Sequence, residues 1–242
     1  MIWLFAGSGL TKLAVAVGGS ALLAGPLNSP QTWIFGQSAY APSAVTHLTS
    51  TTNVDRLSRL PAGGVIVDLE NWPRTPLSQR RDPVKAYRRA AEIAKKHHQW
   101  LVATPATDLV RSVDPDYRGK IYPKFVTLHL AERIAPYARV YEIQAQGAER
   151  NPALYRSFVV EVSQQVRLVH PGITVLAGLS TNPGGRPVPA SVLERDIALT
   201  RGTVAGYWMN IPQAGRACPD CGKAHPEIAV QVLKTELLPH LG

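Results

Sequence analysis

Residues 65–72 run from an apolar segment into Asp68, Leu69, Glu70, Asn71 and Trp72. Strand side chains alternate between faces, so Asp68 and Glu70 share one face above Ile66, while Val65, Val67 and Leu69 take the other. Residues 140–146 repeat the arrangement, with Glu142, Gln144 and Gln146 on one face above Val140. Further β-rich stretches fall at 33–38, 45–50, 100–106, 174–181 and 204–211. Helical periodicity separates most of them. Asp82-Pro83 caps and opens a helix with Val84, Tyr87, Ala91 and Ala94 as its buried stripe. Asn151-Pro152 repeats that signal before Leu154, Phe158, Val162 and Val166. Other helices are expected at 54–60, 123–135, 192–200 and 226–238.

From Asp68 onward, strands and helices alternate, the pattern of a parallel sheet with helical crossovers. Seven strands are plain and an eighth is expected near the N-terminus. The fold class is α/β, a (β/α)8 barrel of the TIM type with an irregular or missing βα unit near the N-terminus, because the link between 38 and 45 is too short for a helix. The polar strand ends agree in alternation: Asp68 and Glu70; Thr104; Glu142, Gln144 and Gln146; Ser180 and Asn182; Trp208 and Asn210. Apolar residues lie deeper on the same faces, as in a barrel whose active site sits at its C-terminal rim. No glycine-rich phosphate loop follows any strand, so a nucleotide-binding open sheet loses support.

Residues 1–32 read differently. Lys12 precedes the small apolar run 13–25, the pattern of a signal peptide, with a Pro-bounded linker to residue 32. The barrel domain is then 33–242, in a secreted or cell-envelope protein. The competing reading makes 1–25 the first strand and helix of the fold, in a cytoplasmic protein. The run is too short for a stable membrane span. Net charge is +9, which favours acidic partners (nucleic acid, wall polyanions or anionic membrane) or else marks an Arg-rich basic protein with no such partner. The basic residues concentrate on one predicted helix face and no nucleic-acid motif accompanies them, so no nucleic-acid partner is expected. Cys218 and Cys221 lack the further ligands of a closed zinc site and are expected to form a local disulfide if the chain is exported.

With Asp-x-Glu at one strand end, a lone Glu on a later one and an aromatic-x-Asn strand end, residues 33–238 resemble the glycoside-hydrolase-type TIM barrels, including uncharacterised actinobacterial members. The longer Asp-rich signature of chitinase-like barrels is absent, which counts against a chitinase-type mechanism. The resemblance implies carboxylate acid/base chemistry on a carbohydrate, without a cofactor or bound metal. Glycoside hydrolysis needs one protonated and one ionised carboxyl, for which Glu70 and Glu142 are the candidates, with Asp68 as modulator. Gln37, Thr104, Gln144, Gln146, Asn182 and Asn210 are candidates to bind sugar hydroxyls, and Trp72 and Trp208 to stack on a pyranose. The carboxylates would otherwise be structural ions paired with Arg74 or Arg139. Two alternatives stand beside this: a Mg²⁺- or Ca²⁺-dependent barrel using the same carboxylates, and a non-catalytic carbohydrate-binding barrel.

Overall fold

A computed structural model describes residues 1–215 and 218–238. Eight parallel strands close a barrel in chain order: β1 (Ile2–Ala6), β2 (Thr32–Phe35), β3 (Thr46–Thr51), β4 (Gly63–Val67), β5 (Gln99–Ala103), β6 (Val140–Ile143), β7 (Thr174–Ser180) and β8 (Gly206–Asn210). This is the (β/α)8 barrel expected from the alternation of strands and helices. The irregular early units are present too. No helix links β2 to β3, and only a turn of 3₁₀ helix, Val54–Arg59, links β3 to β4. The α-helices are α1 (Gly7–Val15), α2 (Gly19–Ala24), α3 (Leu77–Arg81), α4 (Pro83–Lys96), α5 (Val110–Val113), α6 (Ile121–Thr127), α7 (Leu130–Ile134), α8 (Pro152–Val169), α9 (Ala190–Thr200) and α10 (Pro226–Leu237). None of the described helices is long and apolar enough to cross a membrane.

The chain divides into two compact units. One comprises residues 1–47, 145–156 and 178–242. Here β1 pairs with β2 (Trp3 opposite Thr32) and with β8 (Ile2 opposite Gly206). Leu4 and Phe5 are wholly buried. Gly206 is dictated by close approach, since a Cβ there would lie 2.0 Å from the Ile2 carbonyl oxygen. Residues 1–32, read from sequence either as signal and linker or as the first strand and helix of the fold, form β1, α1 and α2 here. Lys12, read as the charge ahead of a leader, donates to the Ile211 carbonyl at 2.9 Å just beyond β8. An apolar run of small residues fits a leader and a buried strand–helix unit equally well, and only pairing partners distant in sequence separate them.

The other unit comprises residues 48–144 and 157–177. Here β4 is flanked by β3 (Val67 opposite Thr51) and β5 (Val67 opposite Ala103), and β6 follows β5 (Tyr141 opposite Ala103). The Asp82 side chain caps α4 by accepting from the Lys85 amide at 3.0 Å. The buried face of α4 is Ala86, Tyr87, Ala90 and Ala94, displaced from the expected stripe so that Val84 and Ala91 are only half covered. The helix expected over 123–135 is two short ones, broken where His129 adopts a left-handed conformation (φ 50°) and meets Glu132 at 2.8 Å.

Candidate functional site

The chain leaves β4 at Val67 and runs on in nearly extended form, still tied to its neighbours. The Asp68 amide donates to Thr51 O, the Thr104 amide to Val67 O and the Ala106 amide to Leu69 O. These bonds carry the strand alternation past the strand proper, so Leu69 is fully buried while Asp68 and Glu70 point the other way and remain partly accessible.

Asp68 is the hub. Its Oδ1 accepts from the Thr104 hydroxyl at 3.0 Å and from the Gln144 amide at 2.9 Å. Gln144 also donates to Thr104 O at 3.1 Å, which joins the ends of β4, β5 and β6 through side chains. Glu70 hydrogen-bonds Asp68, and Glu142 lies near enough to feel the charge of both. The three acids thus meet, with Thr104 and Gln144, at one end of three adjacent parallel strands.

Their protonation is set by burial. Desolvation pushes Asp68 up to about 6, against the opposing hydrogen bonds from Thr104, Glu70 and Gln144. Glu70 rises to about 8 through desolvation, reinforced by the charges of Asp68 and Asp108 and opposed by Arg74. Glu142 has no accessible surface, and neither carboxyl oxygen has a hydrogen-bond partner among the described residues. Desolvation, then the charges of Asp68 and Glu70, hold it well above the ordinary range. At neutral pH Asp68 is the ionised member of the Asp68–Glu70 pair and Glu70 keeps its proton, while Glu142 is pushed toward its protonated form. Neither Arg74 nor Arg139 forms a salt bridge among the described residues; the charge of Arg74 still acts on Glu70, and Arg139 lies over Trp100 at 5.3 Å, just ahead of β6.

The loop after Glu70 is built on Thr75, a fully buried residue. Its hydroxyl accepts from the Glu70 amide at 3.2 Å and from the Trp72 indole N–H at 3.0 Å. The Arg74 guanidinium lies 5.0 Å from the centre of the Trp72 ring, so one face expected to meet a sugar is already covered by a cation. Two contributors were not singled out in the sequence. Asp108, four residues past Thr104, accepts from the Asn71 amide at 3.1 Å. Asn71 in turn accepts from Ser112 at 2.7 Å and Arg80 at 3.1 Å. Tyr87 on α4 donates to Val67 O at 2.7 Å and braces the end of β4 from outside. Its place in a helical stripe marked it as core and nothing more.

The remaining candidates belong to the other unit. Trp208 is nearly buried and packs edge-on against Phe35 at 5.2 Å. Asn210 and Gln146 are half-buried, and Gln37 is exposed. The Asn182 amide donates to Cys221 O at 2.7 Å and Lys223 O at 3.1 Å, and its oxygen accepts from Thr181 at 2.8 Å, so its polar atoms hold the cysteine loop. Cys218 and Cys221 form the expected disulfide. This unit also holds two buried acids that the sequence did not flag. Glu149 accepts from the Ser180 amide, and desolvation raises its pKa; Asp196, also raised by desolvation, sits at about 6 beside Arg195. Among the described residues no three His, Cys, Asp or Glu side chains are arranged to hold a metal ion.

No family model and no curated protein matches the chain. Solved structures with a similar course include a GH18 chitinase from Pseudoalteromonas aurantia (13% identity, TM-score 0.40), covering 70% of this chain and 68% of that one. A GH10 endoxylanase from a sugarcane soil metagenome covers 70% of this chain and 69% of its own at 13% identity and TM-score 0.35. The carboxyl transferase domain of Rhizobium etli pyruvate carboxylase matches over 98% of this chain at 11% identity and TM-score 0.45, and the chain spans 47% of its length.

Proposed function

We propose that the protein is a glycoside-hydrolase-like barrel enzyme that acts on a carbohydrate or glycoconjugate by carboxyl acid/base chemistry. The observation that carries this is the Asp68–Glu70 pair. Two hydrogen-bonded carboxyls, one at about 6 and one at about 8, straddle neutrality. Cleavage of a glycosidic bond uses that division, a protonated acid for the leaving oxygen and a neighbouring ionised carboxylate that steadies the developing positive charge. Glu70 is the more accessible of the two glutamates and takes the acid role. Asp68, oriented by Thr104 and Gln144, takes the anionic one. Glu142, enclosed and pushed toward its protonated form, keeps a further negative charge out of the cluster. Gln146, Trp208, Asn210 and Gln37, in the other unit, remain proposed sugar-binding residues. The disulfide is compatible with an oxidising compartment outside the cytoplasm, which supports secretion as part of this reading.

Reducing-end release from a panel of oligosaccharides tests the proposal. Glu70→Gln and Asp68→Asn should each abolish release while thermal unfolding stays cooperative. Binding without release by the native protein would make the chain a carbohydrate-binding barrel, and full activity in both variants would remove the pair from the chemistry.

A further inference from the structure

We infer that the saccharide this site takes is anionic, and that the Arg74 guanidinium, spread over the Trp72 indole, receives its carboxylate. The inference rests on the proposed function for the saccharide and on the geometry of the loop for the charge.

Arg74 is solvent-exposed and forms no salt bridge among the described residues. Its guanidinium is nonetheless stacked on the Trp72 ring. The indole beneath it is anchored by the Thr75 hydroxyl, and the same hydroxyl holds the Glu70 amide, so one buried atom ties the ring under the cation to the backbone of the proposed acid. A guanidinium stacked on an aromatic ring has lost much of its rotamer freedom already, and its planar fork matches a carboxylate with two parallel hydrogen bonds.

The charges nearby leave this cation uncompensated. The acid whose proton Arg74 affects is Glu70, which stays protonated at neutral pH and offers no counter-charge. Two neighbouring arginines are engaged elsewhere. Arg80 donates to Asn71, and the charges of Arg80 and Arg111 act on Asp108. Asp68 is already satisfied by Thr104, Gln144 and Glu70. A substrate arriving at Glu70 therefore meets the Arg74 guanidinium, stacked on the Trp72 indole. A pyranose carrying a carboxylate presents both counterparts. The net charge of +9 draws polyanionic glycans to the surface in the same sense.

The test is calorimetric titration with uronate oligomers (galacturonate, glucuronate and mannuronate tetramers) against their methyl esters, which keep the skeleton and remove the charge. At least one free acid should bind roughly tenfold or more tightly than its ester, with an affinity that falls as salt rises. Arg74→Gln should erase that preference and Arg74→Lys should restore part of it, both variants melting with the native protein. Equal binding of acid and ester, a preference that survives Arg74→Gln, or no binding by any uronate overturns the inference. Release of reducing ends from neutral glycans alone would do so while leaving the proposed function standing. A free-acid preference that depends on Arg74, without cleavage of any glycan, would keep this inference and remove the hydrolase.

Discussion

Replacing Glu70 with Gln should make the protein more stable at neutral pH, and the gain should vanish in acid. The side chain keeps its shape and can still donate to Asp68. What disappears is the work of holding a proton that an unfolded glutamate would release. The native pKa stands at about 8 against an ordinary 4.5. Above pH 4.5 the unfolded chain sheds this proton while the folded chain keeps it, so the group weakens folding progressively as pH rises and reaches its full effect only beyond pH 8. Linkage puts the cost at about 1 kcal/mol at pH 5 and about 3 kcal/mol at pH 7; both are upper figures because Glu70 is only partly enclosed. Below pH 4 it is absent. Urea unfolding of native protein and variant at pH 4, 5, 6 and 7 measures this directly. The difference in stability should grow by about 2 kcal/mol between pH 5 and pH 7 in favour of the variant. A difference that stays flat with pH would mean that Glu70 ionises normally in the folded chain, and the acid role assigned to it would fall with that result.

Hydrolysis, if it occurs, should follow a bell-shaped pH profile, rising as Asp68 ionises near pH 6 and falling as Glu70 loses its proton near pH 8, measured as kcat/KM on any cleaved glycan. Tyr87→Phe should cost about 1 kcal/mol in urea unfolding, the worth of its buried bond to Val67 O, and shift activity only as the Asp68 end of β4 loosens. Gly206→Ala should lower the melting temperature by well over 5 °C or prevent soluble expression, because its Cβ collides with β1 backbone. Thiol labelling of denatured protein should find no free cysteine before reduction, and reduction should cost at most about 2 kcal/mol, because the loop closed between Cys218 and Cys221 is so short.

The legible part of this molecule was the part governed by a two-residue period. Asp68, Glu70, Glu142, Thr104 and Gln144 fall on one alternation class within their strands, and apolar residues beneath them pointed that class inward. Arg74 and Asp108 escaped because they sit on loops, where no period relates a residue to its neighbours. Arg74 drew notice only as a potential ion-pair partner, and its stacking on Trp72 depends on a hydroxyl three residues from the indole. His129 shows another limit. One residue in a left-handed conformation splits a helix whose apolar spacing on either side reads as continuous. At the N-terminus the difficulty was degeneracy, since Trp3-Leu4-Phe5 and the run after Lys12 satisfy two different solvents, membrane machinery and barrel core, with the same residues.

That strand has a history as well as a position. It leaves the ribosome ahead of both its partners: β2 can join one of its edges after about 30 residues, but its other neighbour is β8, about 200 residues later. Until Gly206–Asn210 emerges, one edge of β1 has no strand to pair with and its aromatic side chains have nothing to pack against on that side. Contacts of such separation in sequence form late and slowly. Nascent chains that stop short of β8 should therefore be the species that chaperones bind and that aggregate, and release of β8 should be the step at which the growing protein stops being sticky.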